Sequence, residues 1–331
     1  MKKKLIAMLL SAAMCLSLAA CGQKADTPDT TDPAEPSGDA ATYTVGICQL
    51  VQHEALDAAT QGFIDALNEA LPGQVKIEEK NASGDSNSCA TIVNGFVSEG
   101  VDLIMANATA ALQAAASATS DIPVLGTSIT AYGVALDIDD FSGTVGGNVS
   151  GTSDLADLSK QADMITEWFP ETQKVGLLFC SAEPNSRYQI EEVAKNLSAK
   201  GIETKEFAFT DTNDVSSVTQ AACEWADVIY VPTDNTAASN TEAIANVTVP
   251  AKTPVIAGEE GICKGCGVAT LSISYYDLGM TTGKMAAKIL TGEADISTMP
   301  IEFTTATPKY NASMCETLGI TPLEGYTAIA E

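Results

Sequence analysis

Polar residues follow several short β-branched runs of this chain, and their types suit the binding of a small charged ligand. Many of them open predicted helices, where free backbone N–H groups and the helix dipole favour a carboxylate. Taken singly, each loop is better explained as ordinary helix capping than as a ligand site. The candidates are Gln49, Glu54, Thr109, Thr127, Asp154, Asn185, Ser186, Asn235 and Glu259. Because parallel sheets bind ligands beyond the carboxyl ends of their strands, these loops together predict one shared site.

The sequence contains few residues that could form a catalytic site. His53 is the only histidine, so a Ser-His-Asp or Cys-His mechanism would have to use it. Its neighbours, residues 53–57, read HEALD and do not complete a HExxH zinc motif. The chain also contains no GxSxG and no GxxxxGK[ST] pattern. We therefore expect a protein without catalytic residues, metal or cofactor.

The cysteines give no metal-binding pattern. Residues 263–266 read CKGC and form the one close pair, but no second CxxC and no cluster of histidines accompanies them. Structural zinc normally needs four such ligands, so a zinc site is not predicted. Either a local disulfide or two unpaired thiols would fit the pair. The cysteines in apolar runs are interpreted as small core residues: Cys48, Cys89, Cys180 and Cys223.

The first twenty residues have the three parts of an export signal: a basic start, a short apolar run and small residues before Cys21. The end of this segment, Leu-Ala-Ala-Cys, resembles a bacterial lipobox, which implies a lipidated Cys21 and attachment to a membrane by acyl chains. An ordinary secretory signal is the alternative. Residues 21–42 lack large apolar side chains and predict a solvated tether. The expected location is extracytoplasmic, on the cell membrane.

The charge balance narrows the possible partners. The chain has 17 lysine and arginine residues against 43 acidic residues, a formal net charge of −26. Such a surface repels phosphate backbones and anionic headgroups, so nucleic-acid binding is not expected.

The body of the chain contains an internal repeat with a spacing of roughly 130 residues. Residues 45–48, VGIC, return as VGLL at 175–178, and VDLIM at 101–105 returns as ADVIY at 226–230. Each unit alternates short β-branched runs with longer helical patterns, which is typical of parallel α/β construction. The repeat predicts two Rossmann-like lobes with parallel sheets.

An ordered set of motifs resembles the family of ABC-transporter substrate-binding proteins of the tryptophan-binding TrpX type. The motifs are Gly46-Ile47 with Gln49, residues 53–57, Ala108-Thr109, residues 147–154, residues 182–186, residues 231–236 and residues 275–279. The resemblance covers residues 43–320 and implies a type I periplasmic-binding-protein fold with a hinge crossed three times. It also implies capture of a small ligand, aromatic amino acids in characterised relatives, for an ABC permease and its ATPase.

The chain departs from the pattern of these relatives at two places near the expected pocket. Glu259 stands where relatives usually have aspartate, and residues 130–133 replace a Thr-Asp-Pro type of turn. These departures leave the identity of the ligand open.

The two lobes are expected to be discontinuous in sequence. Extended patterns at 268–274 and 302–307 flank a helical pattern, which suggests that the chain returns to the first lobe and crosses back. Lobe one is predicted as 43–149 plus 275–301, and lobe two as 150–274 plus 302–331.

For an amino-acid ligand, we expect the helix start at Asn185 and Ser186 to hold the carboxylate, with Thr109 or Thr127 from the other lobe.

The ligand ammonium is assigned to Glu259 or Asp154, with Asn235 in support, since a partly desolvated ammonium needs a charged partner.

Tyr132 is the expected wall for an aromatic side chain, with Phe141 or Tyr276 as alternatives. The same fold could bind a nucleoside or a sugar, or act as a sensor. Sugar sites usually stack aromatic rings on the pyranose, and aromatic residues make up only 5% of this chain, which disfavours sugars.

Overall fold

The computed structural model describes residues 42–330. The predicted export signal at 1–20, the predicted lipidation of Cys21 and nearly all of the predicted tether therefore lie outside the described residues. Within 42–330, every helix is too short or too polar to cross a bilayer.

Thirteen β-strands occur in the described part of the chain. They are β1 (Tyr43–Gln49), β2 (Val75–Asn81), β3 (Leu103–Asn107), β4 (Val124–Ile129), β5 (Val149–Ser153), β6 (Lys174–Cys180), β7 (Glu203–Phe209), β8 (Val228–Val231), β9 (Val255–Ala257), β10 (Ala269–Ser272), β11 (Glu302–Phe303), β12 (Thr307–Tyr310) and β13 (Thr327–Ala328).

Twelve α-helices and a 3₁₀ helix at Ile296–Thr298 connect these strands over residues 42–330. The α-helices are α1 (Glu54–Ala70), α2 (Ser86–Glu99), α3 (Thr109–Ala118), α4 (Tyr132–Ala135), α5 (Leu158–Trp168), α6 (Pro184–Ala199), α7 (Val215–Trp225), α8 (Asn235–Ala238), α9 (Thr241–Ala251), α10 (Glu260–Cys266), α11 (Tyr275–Leu290) and α12 (Ala312–Leu318).

The first sheet has six parallel strands in the order β11-β5-β4-β3-β1-β2. Every residue of β3 and β4 is buried, as expected for strands covered by helices on both faces. Phe96 of α2 and Leu112 of α3 belong to the core on one face. Phe63 of α1 and Met285 of α11 belong to the core on the other face. This sheet and its helices form the first lobe.

The second sheet has the order β13-β12-β10-β9-β8-β6-β7 and is parallel from β7 to β10. Strand β12 joins it in the antiparallel direction. The strand order β7-β6-β8-β9 repeats the order β2-β1-β3-β4 of the first sheet. The prediction of two Rossmann-like lobes, made from the sequence repeat, is confirmed.

The chain passes between the two sheets three times: after β5, between β10 and α11, and after β11. The exchange points differ from the predicted lobe boundaries, because β5 and β11 both pair in the first sheet. The prediction placed residues 150–153 and 302–303 in the second lobe, which is corrected here. Glu302 and Phe303 are both exposed. This two-residue strand therefore has no pattern of buried apolar residues by which the sequence could show which sheet it joins.

Helix α11 packs directly on α1, which ties this late segment of the chain to the first lobe. Glycine makes the close approach possible. A Cβ atom at Gly279 would lie 2.0 Å from the carbonyl oxygen of Ala59, and one at Gly62 would lie 2.1 Å from the carbonyl oxygen of Tyr276. No other residue type fits these two positions without separating the helices.

Replacing Gly279 by alanine should destabilise the protein, because the added methyl group must push α1 and α11 apart. We expect a loss of about 1–3 kcal/mol in the free energy of unfolding, measured by chemical denaturation.

The matched control is Gly95→Ala on α2, where a Cβ atom would meet nothing within 4 Å. This change should stabilise the protein by up to about 1 kcal/mol, through helix propensity alone. Equal stability of the two variants would contradict the proposed packing of α11 on α1.

Candidate ligand-binding site

A small cavity lies between the carboxyl ends of the two sheets, where both lobes contribute side chains. Its volume is about 10 Å³, which is room for roughly one water molecule. Most of its wall is polar. The lining residues are His53, Leu56, Ser128, Thr130, Asp154, Asn185, Thr233, Asp234, Asn235, Ala238, Glu259 and Tyr275.

Asp154 lies at the end of β5, where the chain leaves the first lobe. Its Oδ2 atom accepts a hydrogen bond of 2.9 Å from the Tyr275 hydroxyl. Its Oδ1 atom is buried and has no hydrogen-bond partner among the described residues. Burial raises the pKa of this carboxyl from 3.8 to about 6, although bonds from Tyr275 and Thr130 act in the opposite direction. One oxygen of Asp154 is therefore left to face the cavity.

Ser128 provides a second side chain of the cavity wall with a buried polar atom that lacks a partner among residues 42–330. Its Oγ atom is buried in the wall of the cavity. Its backbone φ is +56°, the left-handed region that a non-glycine residue enters only at some cost. Strain and an unsatisfied hydroxyl at one residue are typical of a position that contacts a ligand.

Glu183 organises the part of the second lobe that faces the cavity. Its Oε2 accepts from the backbone and side-chain nitrogens of Asn235, at 3.0 and 2.7 Å. Its Oε1 accepts from the backbone and hydroxyl of Thr236, both at 2.8 Å. Glu183 precedes α6 and these partners begin α8, so one carboxylate holds two helix starts together. Asn185 joins the same network, since its Nδ2 donates to the carbonyl of Thr233 at 3.1 Å.

Asp234 and Glu259 are buried carboxylates that cap helices at the cavity wall. Asp234 accepts from the backbone nitrogens of Ala237 at 2.8 Å and Cys180 at 2.7 Å. Burial, followed by the charge of nearby Glu183, raises the pKa of Asp234 from 3.8 to about 8.

Glu259 accepts from the backbone nitrogens of Gly261, at 2.6 Å, and Ile262 at the start of α10. Burial raises the pKa of Glu259 from 4.5 to about 7. With Asp154 and Asp234 it makes a third buried carboxylate at the cavity, and neither lysine nor arginine belongs to the lining formed by the described residues. The electrostatics of the cavity favour a cation such as an ammonium group.

Two contacts beside the cavity join the lobes. The Nε2 atom of His53 lies 3.2 Å from Oδ1 of Asn235. Because Nδ2 of Asn235 already donates to Glu183, its Oδ1 is the acceptor and the His53 nitrogen donates. Burial lowers the pKa of His53, which favours its neutral form. Glu54 pairs with Lys264 across the rim at 3.1 Å.

Several predicted site residues lie outside this lining. Both ends of the Gln49 amide are engaged, since Nε2 donates to Asp57 at 2.6 Å and Oε1 accepts from Thr60 at 2.6 Å. The hydroxyl of Thr127 lies in a buried cluster with those of Thr152 and Thr282, each at 3.2 Å. These two residues stabilise the first lobe from within.

Thr109 and Ser186 are both buried in the first turns of their helices and do not line the cavity. A hydrogen bond from the Ser186 hydroxyl to the carboxyl of Asp234 acts against the rise in the pKa of Asp234 that burial causes. Ser186 therefore contacts the cavity residue Asp234 without lining the cavity itself.

The predicted aromatic walls do not line this small cavity, but Tyr132 and Phe141 line a cavity of about 270 Å³ that shares Thr130 with it. Tyr132 is 2% exposed, and its hydroxyl donates to the carbonyls of Gly126 and Thr152 at 3.0 and 3.1 Å. Phe141 stacks on it with ring centroids 6.4 Å apart. Tyr276 is exposed and its hydroxyl donates to Asp65 at 2.9 Å. The rings at the cavity are instead those of His53 and Tyr275.

The structure therefore brings Asp154, Asn185, Asn235 and Glu259 together at the cavity. Sequence reasoning missed the further cavity residues, although most of them lie within one or two positions of a predicted one. They are His53, Ser128, Thr130, Thr233, Asp234 and Tyr275.

Residues 44–330 match the family described as ABC transporter substrate binding protein. A tyrosine-binding protein from Clostridioides difficile (strain R20291) is 31% identical to the chain over 299 residues, which cover 88% of this chain and 85% of that protein.

Two solved structures are similar to this chain over most of its length. The crystal structure of an ABC domain in complex with L-Trp from Streptococcus pneumoniae is 32% identical, covers 87% of this chain and 100% of its own, and has a TM-score of 0.83. The ligand-free, open structure of a substrate-binding protein with adhesive properties from Clostridium difficile is 33% identical, with coverages of 87% and 99% and a TM-score of 0.67. At nearly equal identity, this chain has the higher TM-score with the L-Trp complex.

An ABC transporter solute-binding protein from Bacillus halodurans with bound myo-inositol shares the fold alone, at 15% identity and a TM-score of 0.59. The fold is that of type I periplasmic binding proteins. With a family match over nearly all of the described residues, and relatives at 31–33% identity along most of its length, the chain belongs to the family of ABC transporter substrate-binding proteins.

Proposed function

We propose that this protein captures a free amino acid with an aromatic or other hydrophobic side chain between its lobes and delivers it to an ABC permease and its ATPase. The observation that carries the proposal is the cavity with three buried carboxylates, of which Asp154 leaves Oδ1 without a partner among the described residues. The curated relative named for tyrosine and the solved relative with L-Trp support this class of ligand.

In this proposal the ligand ammonium lies between Asp154 and Glu259, because burial raises the pKa of both carboxyls and a neighbouring positive charge favours their ionised form. The ligand carboxylate accepts from the Ser128 hydroxyl, which lines the same cavity and has no other partner among the described residues. Each end of the amino acid thus has a counterpart of suitable chemistry, and the two lobes share the contacts.

Binding requires the lobes to separate first, since a cavity of about 10 Å³ cannot admit an amino acid. A hinge crossed three times allows such a motion. A ligand that contacts both lobes then shifts the equilibrium towards the closed arrangement.

We further propose that the protein binds its ligand without chemical change. The single histidine of the chain donates its Nε2 hydrogen to Asn235 and so does not activate a nucleophile through that nitrogen.

Ligand class is tested by thermal shift and calorimetry of the chain from residue 43 onwards against amino acids, nucleosides and sugars. An aromatic amino acid at a hundredfold excess over its Kd should add about 2.7 kcal/mol of stability. Stabilisation by a nucleoside or a sugar alone would overturn the assignment to amino acids.

The role of Asp154 is tested by Asp154→Asn, which keeps the shape of the side chain and removes its charge. Affinity for the amino acid found in the screen should fall at least tenfold in calorimetry, or about 1.4 kcal/mol. The control is Asp157→Asn, an exposed cap of α5 three residues away, which should leave affinity unchanged. Equal affinities of the two variants would remove Asp154 from the site.

Closure of the ligand-free lobes should depend on pH in a direction fixed by the raised pKa values of Asp154, Asp234 and Glu259 in the closed arrangement. Because closure takes these carboxyls out of water, the closed arrangement holds more protons than one with separated lobes, so the lobes of the free protein should approach one another as pH falls from about 8.5 to about 6.5. Below that range protonation of His53 opposes the trend, because burial lowers its pKa in the closed arrangement. The radius of gyration from small-angle X-ray scattering measures the effect; a radius that does not change with pH would contradict it.

We also propose a lipid anchor at Cys21, supported by the Leu-Ala-Ala-Cys sequence that ends the predicted signal. Cys21→Ala should leave the precursor without lipid, so that the protein no longer enters the detergent phase on phase separation. Unchanged partitioning would contradict the anchor.

A further inference from the structure

Asp154 and Tyr275 stand at two of the three places where the chain passes between the sheets. Asp154 directly follows β5, at the first crossing, and Tyr275 begins α11, directly after the second. The Tyr275 hydroxyl donates a hydrogen bond of 2.9 Å to Oδ2 of Asp154. Asp154 is 4% exposed and Tyr275 is 6% exposed. A hydrogen bond shielded from water therefore joins two segments of the hinge.

The ring of Tyr275 extends this connection to the third crossing. It belongs to a buried apolar cluster with Ile273, which lies in the second crossing, and with Ala59 of α1. Ala306, in the segment that follows β11, packs against the same cluster. The ring of Tyr275 thus lies with two crossings, and its hydroxyl bonds to the other.

The bond also determines which oxygen of Asp154 is left for the cavity. Tyr275 holds Oδ2, while Oδ1 is buried without a partner among the described residues. Burial raises the pKa of Tyr275 well above 10, so its hydroxyl stays protonated and remains the donor. The bond opposes the effect of burial on Asp154, whose pKa of about 6 would be higher without it. Loss of the hydroxyl would free the carboxyl to rotate and would favour its neutral form.

We infer that Tyr275 is a positioning residue, which fixes Asp154 to the hinge with its free oxygen directed towards the ligand ammonium. The inference rests on the proposed function and names a residue that acts on the ligand through Asp154. The hydroxyl of Tyr132, in contrast, donates to the backbone carbonyls of Gly126 and Thr152 inside the first lobe.

The first test is Tyr275→Phe, which removes the hydroxyl and keeps the ring in its cluster. Tyr276→Phe is the matched control, because Tyr276 is the next residue of α11 and its hydroxyl donates to Asp65 at 2.9 Å, outside the polar cavity. In the ligand-free protein with ¹³C-labelled aspartate carboxyls, the NMR signal that Asp154→Asn removes should titrate at a higher pH in Tyr275→Phe. The unmodified protein and Tyr276→Phe should agree with each other. An unshifted titration in Tyr275→Phe would overturn the inference whatever the ligand is.

The second test is the calorimetric affinity for L-tryptophan and L-tyrosine at pH values of about 7.5 and about 6. Tyr275→Phe should weaken binding at least about fivefold at the higher pH, since it removes a hydrogen bond to a charged group. The loss should grow at the lower pH, because Asp154 of the variant is then more often neutral and attracts an ammonium less. Tyr276→Phe should change affinity less than about twofold at both.

The other titratable groups around Asp154 are the same in all three proteins, so their effects cancel in the ratio of two affinities at one pH. They are His53, Asp234 and Glu259 in the polar cavity, Tyr132 and Tyr188 in the cavity beside Thr130, and Glu54, Glu260 and Lys309 in a cavity of about 250 Å³ that shares Glu259 and Tyr275 with the polar one.

A loss of the same size at both pH values would indicate a packing role for Tyr275 and would overturn the inference. Equal losses in Tyr275→Phe and Tyr276→Phe, or no loss in either, would overturn it as well. Failure of the unmodified protein to bind any amino acid would instead refute the proposed function, and with it the part of the inference that concerns the ligand. The titration of Asp154 would still test its bond to Tyr275.

Discussion

The cost of taking carboxylates out of water governs the closed arrangement of this protein. Asp154, Asp234 and Glu259 meet between the lobes, and burial is the largest cause that raises the pKa of each. Two of them recover part of that cost by capping helices. Asp154 keeps one oxygen without a partner among the described residues. A ligand ammonium is a group that would offset this desolvation.

The rest of the site depends on how the fold holds these groups in place. Glu183 joins the starts of α6 and α8, so that Asn185 and Asn235 present fixed amides to the cavity. The Glu54–Lys264 pair across the rim is exposed and contributes at most about 1 kcal/mol. Such a contact is too weak to decide closure by itself, which leaves that role to contacts inside the cavity.

The two-lobed architecture could be predicted from the sequence because the apolar segments that form the central strands recur at equivalent positions in both lobes. It was less informative about boundaries, since the pairing of β5 with β11 in the first sheet depends on long-range register and on a strand of two exposed residues.

For the site, polar residues at strand ends were the useful signal, and four of them reach the cavity: Asp154, Asn185, Asn235 and Glu259. The signal could not separate residues that face the cavity from those that support it, such as Gln49 and Thr127. Tyr132 lines the cavity beside Thr130 and not the small polar cavity, a distinction that the sequence pattern of a buried tyrosine does not make. Ser128 was missed because its left-handed backbone is visible only in the structure.

The most direct test of this account is small-angle X-ray scattering of the protein alone, with the amino acid found to bind, and with its deaminated analogue at saturating concentration. If the ammonium offsets the buried carboxylates, the amino acid should reduce the radius of gyration, whereas the deaminated analogue should leave the lobes as separated as in the free protein. Equal compaction by both compounds would contradict the account.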